Sequence, residues 1–255
     1  MRNILLTISY DGSAYHGWAR QPGIRTVCGR MEERLSEYFA TPVVLEGASR
    51  TDAGVHAYGQ RATLKADLGV PVEKIPMVFN TALADDRIEG LSDIRIVAAE
   101  ERPEGFHARF DAKGKRYIYR IRNSRQPDIF LKRYRWQIAE ELDLAEMQKA
   151  CTYIIGEKDF ACFQSAGGTP RESTVRTVYS LDIDRLPSDP AELELRIEGN
   201  GFLYNMVRII TGTIAEVGLG KRRAEDIPAI IESRDRSKAG IIAPAGGLWL
   251  DEVFY

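Results

Sequence analysis

Apolar and polar residues alternate along Leu5-Leu6-Thr7-Ile8-Ser9-Tyr10, the pattern of a strand that Asp11-Gly12 brings to an end. Thr26 stands where a helix N-cap belongs. The apolar residues after it, Val27, Met31, Leu35 and Tyr38, fall on one face at helical spacing. Segments 43–45 and 60–66 read as strands on either side of a loop. A helix is predicted over 72–83 with Pro76 early in it, followed by strands over 93–100 and 115–122. In the second half the pattern predicts a helix over 144–155 and strands over 175–184 and 193–198. It continues with a helix over 204–217, a shorter one over 224–233 and a closing strand over 248–253.

So many strands adjacent in sequence suit an antiparallel or mixed sheet better than a doubly wound parallel one, which makes the fold class α+β. Each half supplies strand, helix, strand and strand. Two similar lobes are therefore expected, residues 1–110 and 111–255. With no sequence repeat and no low-complexity linker, the expectation is that the lobes share one central sheet flanked by helices.

Composition narrows the class further. With 44% hydrophobic and 28% charged residues, the 255-residue chain has the balance of a globular protein. No apolar run reaches the ~18 residues of a membrane span, and the start lacks the long apolar stretch of a signal peptide, so a cytoplasmic protein is expected. Cys28, Cys151 and Cys162 form no CxxC pair, and His16 and His107 are too scattered for a metal site. The total of 35 Lys+Arg against 37 Asp+Glu is a net charge of −2, which by itself argues against a polyanion as partner. The distribution argues the other way. Residues 107–136 hold ten basic residues and two acids, a local charge of +8, and leave −10 for the rest of the chain. Phe110, Tyr117, Tyr119, Phe130, Tyr134 and Trp136 are interleaved with those cations. Basic residues neutralise phosphates and rings meet base faces, so the window suits a polyanion whose bases can stack. A solvated strand pair with inward-packed aromatics has the same composition.

The chemistry concentrates in Ser49-Arg50-Thr51-Asp52-Ala53-Gly54-Val55-His56-Ala57. Gly54 lets the backbone turn sharply after the carboxylate, and a neighbouring cation such as Arg50 can keep Asp52 ionised as a nucleophile or base. Taken alone, Thr-Asp-Ala-Gly is an ordinary turn. Two other patterns fail. Gly218-Leu219-Gly220-Lys221 has Ala215 where a P-loop needs glycine, and Gln164-Ser165-Ala166-Gly167 has Phe163 where a nucleophile elbow needs one.

Residues 50–57 resemble the active-site motif of the TruA family of tRNA pseudouridine synthases. Lys115-Arg116-Tyr117-Ile118-Tyr119-Arg120 resembles the family's basic strand with paired tyrosines. Asp159-Phe160-Ala161-Cys162-Phe163-Gln164-Ser165 with Gly167-Gly168 resembles its loop in the second lobe. The stretch from Gly199 through Asn205 to Arg208 and the ending Ala243-Pro244-Ala245-Gly246-Gly247-Leu248 are similar to its late motifs. At the front, Tyr10-Asp11-Gly12, Tyr15, Gly17, Trp18 and Thr26-Val27 also fit. Two residues depart: Ser49 stands where the family has Gly, and Cys28 where it has Gln.

The resemblance implies a pseudouridine-synthase-like fold with a central RNA-binding cleft, and isomerisation of uridine in the anticodon stem-loop of tRNA. It implies no cofactor and no metal, and a homodimer. By the same resemblance Asp52 is the essential carboxylate and Arg208 its cation. Tyr117 packs against the target base, Arg50 enters the vacated stack, and Thr51 and His56 complete the substrate-binding set. Whether Asp52 adds to the base, attacks the sugar or removes a ribose proton stays open. Arg120 and Arg122 are expected to meet RNA, so neutralising them would flatten the salt dependence of binding. Two further readings are a catalytically silent RNA-binding protein, which the Ser49 departure alone favours, and a glycoside hydrolase. The hydrolase needs a second carboxylate that no motif supplies.

Overall fold

A computed structural model describes residues 1–84, 92–167 and 172–255, so Gly168 of the paired-glycine motif lies outside the described residues. The chain divides into two compact units, residues 1–113 with 250–255, and residues 114–249. No helix among the described residues is long and apolar enough to cross a membrane.

In the first unit β1 (Arg2–Tyr10) pairs antiparallel with β3 (His56–Ala66) on one side and β4 (Ile94–Arg102) on the other, and the short β2 (Leu45–Gly47) pairs with β3. Helices α1 (Val27–Phe39) and α2 (Ile75–Leu83) complete it. Thr26 caps α1 as predicted, its Oγ1 accepting from the Gly29 N–H at 3.3 Å. Val27, Met31 and Leu35 are buried, but Tyr38 is 53% exposed, so the apolar stripe ends a turn sooner than expected. The predicted helix over 72–83 divides into a 3₁₀ turn at Val72–Lys74 and α2, because Pro76 suits a first helical turn and not a helix interior.

In the second unit β5 (Gly114–Asn123), β9 (Asp189–Gly199), β8 (Val175–Leu186) and β7 (Gly156–Asp159) lie side by side, antiparallel throughout. β6 (Trp136–Ile138) runs parallel to the end of β5. β6 and β7, of three and four residues, are too short to show a period of two, which is why the sequence pattern does not predict them. Helices α3 (Leu144–Ile154), α4 (Met206–Gly218) and α5 (Ile227–Ser233) follow the predicted positions to within a few residues. Eleven of the thirteen residues of α4 are buried, which makes it the central helix of the unit. Its Thr211 and Thr213 hydroxyls escape the cost of burial by donating to the Val207 and Ile209 carbonyls, at 2.8 and 2.7 Å. The closing strand β10 (Leu248–Phe254) begins in the second unit, and its residues from Leu250 onward return to the first beside β3.

Register settles what the basic strand does. Arg116, Arg120 and Arg122 of β5 stand directly opposite Glu198, Glu194 and Glu192 of β9. Each pair closes: Arg116 Nη1 to Glu198 at 2.9 Å, Arg120 Nε to Glu194 at 3.1 Å, and Arg122 Nη1 to Glu192 at 3.0 Å. Arg135 adds a second contact to Glu192 at 2.6 Å, and Arg122 also reaches Asp189 at 3.0 Å. Four of the ten basic residues in the window are therefore met by acids from a strand some seventy residues later in the chain. The reading of Arg120 and Arg122 as phosphate-binding residues is corrected accordingly: they form a cross-strand ion ladder.

Candidate active site

The loop that carries Asp52 joins β2 to β3, and the segment after β1 grips it from one side. Trp18 N–H donates to the Thr51 carbonyl and Gly54 N–H to the Tyr15 carbonyl, both at 3.1 Å. The Tyr10 hydroxyl and Thr51 Oγ1 share a buried hydrogen bond of 2.7 Å. Gly17 lies in the left-handed region at φ +86°, and a Cβ there would stand 2.5 Å from the Thr51 carbonyl oxygen. At Gly12 a Cβ would stand 2.0 Å from the Val55 carbonyl oxygen. Both glycines are thus demanded by close backbone approach to the loop, and Gly17 by its backbone angle as well. Val55 N–H donates back to the Asp52 carbonyl at 3.1 Å, closing a turn in which Gly54 takes φ +76°. The start of α1 holds the gripping segment in turn, since Val27 and Cys28 N–H donate to the Gly17 and Trp18 carbonyls, both at 3.0 Å.

Gln60 is the residue that sequence reasoning passed over. Fully buried, its side-chain amide accepts from Ser49 N–H at 3.1 Å and donates to the Ser49 carbonyl at 2.8 Å, so it reads that backbone as a neighbouring strand would. The pairing fixes the chain one residue ahead of Arg50. Ser49 is not among the residues with positive φ, so this position asks for no glycine and the departure from the family pattern introduces no backbone strain. The second departure is equally quiet. Cys28 is buried, its thiol faces the Leu45 carbonyl at 3.7 Å, and burial together with the nearby Glu32 carboxylate pushes it up to about 12.

Within this unit the loop presents Arg50 to solvent, leaves Asp52 half-buried and buries Thr51. His56 is fully buried; its Nδ1 lies 3.1 Å from the Gly12 N–H and 3.2 Å from Asp11 Oδ1. An imidazole so enclosed does not face a bound RNA. Its contacts tie the start of β3 to the turn after β1, a positioning part in place of the direct substrate contact that the resemblance implies.

Arg208 and Tyr117 belong to the second unit. Arg208 sits in the first turn of α4, with Nε donating to the Ala243 carbonyl and Nη1 to Asn205 Oδ1, both at 2.8 Å. Asn205 precedes the helix in the left-handed region at φ 59°, a conformation asparagine tolerates better than most residues. Its amide donates to Ser165 Oγ at 3.1 Å, and Ala243 N–H donates to the Arg208 carbonyl at 3.1 Å. Three motifs far apart in sequence, around 165, 205 and 243, thus converge to aim one guanidinium. Tyr117 is 7% exposed, with its ring edge-on to Phe202 at 5.4 Å. Tyr119 is fully buried and donates to the Pro244 carbonyl at 2.7 Å, and burial holds its hydroxyl well above the ordinary tyrosine range. Of the two tyrosines on that face, Tyr119 is core.

Comparison with known proteins identifies the family. The family model described as tRNA pseudouridine synthase matches residues 6–111 and 150–255. A Ruminiclostridium cellulolyticum protein named tRNA pseudouridine synthase A is 45% identical over 255 residues, covering all of both chains. An Acetivibrio thermocellus protein of the same name is 44% identical over the same full span. A Clostridium perfringens protein named tRNA pseudouridine synthase A 2 is 40% identical, again over all of both chains. Among solved structures, a chain of the archaeal box H/ACA sRNP Nop10–Cbf5 complex gives a TM-score of 0.37 at 10% identity, over 92% of this chain and 59% of that one, a likeness too weak to carry an argument.

Proposed function

This chain belongs to the tRNA pseudouridine synthase family, and on that premise we propose that Asp52 is the carboxylate with which it converts uridine to pseudouridine in the anticodon stem-loop of tRNA. The protein is an isomerase acting on tRNA uridine. The N1–C1′ bond breaks, the base turns, C5 bonds to C1′, and the proton lost from C5 is balanced by one gained at N1. No electrons enter or leave, so the reaction calls for no redox cofactor. The observation that supports Asp52 is its loop: a half-buried carboxylate at a turn that the Tyr10–Trp18 segment and Gln60 hold from separate directions. Such preorganisation is what a carboxylate needs if it is to meet one atom of a flipped nucleotide.

By the family resemblance Arg208 is the cation proposed for that negative charge, and two hydrogen bonds, to the Ala243 carbonyl and Asn205 Oδ1, hold its guanidinium in place. Tyr117 is the ring assigned to the target base. Arg50, exposed on the same loop as Asp52, is assigned to the space that base leaves in the stem and to neighbouring phosphate. Thr51 acts through its hydrogen bond to Tyr10 in holding the loop. The full-length relatives are named for action on tRNA, and we propose, on the family resemblance alone, that the protein works there as a cytoplasmic homodimer.

Incubation with unmodified tRNA, followed by chemical mapping of pseudouridine, tests the assignment. Wild type is expected to modify the anticodon arm, and Asp52→Asn to bind tRNA but form no product. Product formed equally by Asp52→Asn would refute the carboxylate's role, and free uracil in place of pseudouridine would mark a hydrolase.

A further inference from the structure

The segment 125–133 carries a feature that the isomerisation does not use. Its tip, Ile129-Phe130, is left in water: Phe130 is 83% exposed and Ile129 66%. A phenyl ring on a loose loop folds back onto the nearest apolar surface, because burial is worth about 1.5–3 kcal/mol. This loop is not loose. Asp128 Oδ1 accepts from the Phe130 and Leu131 N–H groups at 2.9 and 3.2 Å, and Tyr134 N–H donates to the Leu131 carbonyl at 2.8 Å. Gly246 packs on the Arg133 carbonyl so closely that a Cβ would stand 2.4 Å from its oxygen. Next in sequence, Arg135 is pinned to Glu192 at 2.6 Å. The feet are anchored, the turn is closed by its own side chain, and the ring is held outward.

Charge decides what the ring faces. Arg125, Lys132 and Arg133 flank it, all exposed, and Asp128, the one acid of the segment, is turned onto its own backbone. A second copy meeting this tip about a two-fold axis would bring like charges together, which disfavours self-association. A polyanion with exposed bases matches both properties at once: cations meet phosphates, and an aromatic ring stacks on a base whatever its identity.

We propose that the 125–133 turn is a separate contact for the tRNA substrate, with Phe130 stacking on an unpaired base and Arg125, Lys132 and Arg133 meeting the adjoining phosphates. The proposal rests on the reading that this protein acts on tRNA. Phe130→Ala lowers affinity for unmodified tRNA about 5- to 100-fold at fixed salt, raising KM while kcat at saturating tRNA holds. Phe130→Trp restores affinity, and its emission, taken as the difference from wild type with Trp18, Trp136 and Trp249, is quenched as tRNA is added. The double variant Arg125→Gln/Lys132→Gln reduces the slope of log K against log salt by about 1–2.

Wild-type affinity in Phe130→Ala overturns the proposal, as does an equal loss in Phe130→Ala and Phe130→Trp. So does a Phe130→Ala protein that changes sedimentation while Phe130→Trp stays unquenched, since the tip then faces a second copy. The two readings fail separately. Wild type that binds tRNA without forming pseudouridine refutes the isomerase reading and leaves the stacking result intact. Normal product with unaltered Phe130→Ala binding refutes only the turn.

Discussion

Gly17→Ala tests whether the segment after β1 works on the carboxylate. The alanine Cβ would stand 2.5 Å from the Thr51 carbonyl oxygen, 3.1 Å from the Asp52 carbonyl carbon and 3.2 Å from the Ala53 nitrogen. The first of these is about 0.9 Å short of the 3.4 Å at which ordinary contact begins. All three neighbours are backbone, so relief comes from moving the loop. The backbone angle of +86° adds the left-handed penalty of roughly 1–2 kcal/mol to an overpacking cost of roughly 1–3 kcal/mol. Together they set a destabilisation of about 2–5 kcal/mol, read from urea unfolding. Because a misplacement of about 1 Å costs on the order of 10²-fold in rate, kcat falls by 10- to 100-fold while tRNA affinity changes little. The proton lost from C5 offers the assay: tritium placed at uridine C5 is released to water once per turnover. Gly23→Ala is the control, since Gly23 has φ +70° with nothing within 4 Å of its Cβ position. It pays the backbone penalty of about 1–2 kcal/mol and leaves kcat unchanged. A Gly17→Ala enzyme with wild-type kcat, or one indistinguishable from Gly23→Ala in both measurements, refutes the claim that this glycine positions Asp52.

Gln60→Leu removes both bonds to Ser49 and leaves that backbone unpaired, so it costs about 2–4 kcal/mol in urea unfolding and lowers kcat, whereas Ser49→Gly costs under about 1 kcal/mol and leaves kcat within a factor of about two. Arg120→Gln leaves buried Glu194 short of its strongest cross-strand partner, costs roughly 1–3 kcal/mol of stability, and leaves the salt slope of tRNA binding unchanged; a reduced slope would return Arg120 to the RNA. The thiols of Cys28, Cys151 and Cys162 are each raised by burial to about 12 from 9.0, so the unfolded chain loses their protons first. Stability from these groups is whole below about pH 9 and drains away as pH rises toward 12, and a triple Cys→Ala variant shows a shallower alkaline decline than wild type. The native protein at pH 8 gives no fast-reacting thiol with a disulfide reagent, and the unfolded chain gives three.

Local periodicity was enough for most of the elements. The alternation that opens the chain became β1, Thr26 became the cap of α1, and the apolar run of 204–217 became the buried α4, because strand and helix spacing is a property of neighbours in sequence. The carboxylate loop was legible too, since Gly54 and the motif around Asp52 lie within ten residues. The charge window was misleading for the opposite reason. Net charge over a stretch counts only that stretch, while an ion pair forms across strands. The information was nevertheless present as spacing: arginines at 116, 120 and 122 mirror glutamates at 198, 194 and 192, the order that antiparallel register brings face to face.

What the chain alone could settle, then, was its elements, its carboxylate loop and the family it resembles, all carried by residues close together or by motif order. The grip of Gly12 and Gly17 on that loop, the pairing of Gln60 with Ser49, the convergence of 165, 205 and 243 on Arg208 and the burial of His56 were decided only by tertiary structure. Each joins segments between roughly ten and eighty residues apart, and close approach, burial and hydrogen bonding at such range depend on how the strands and helices are packed, which no local pattern encodes.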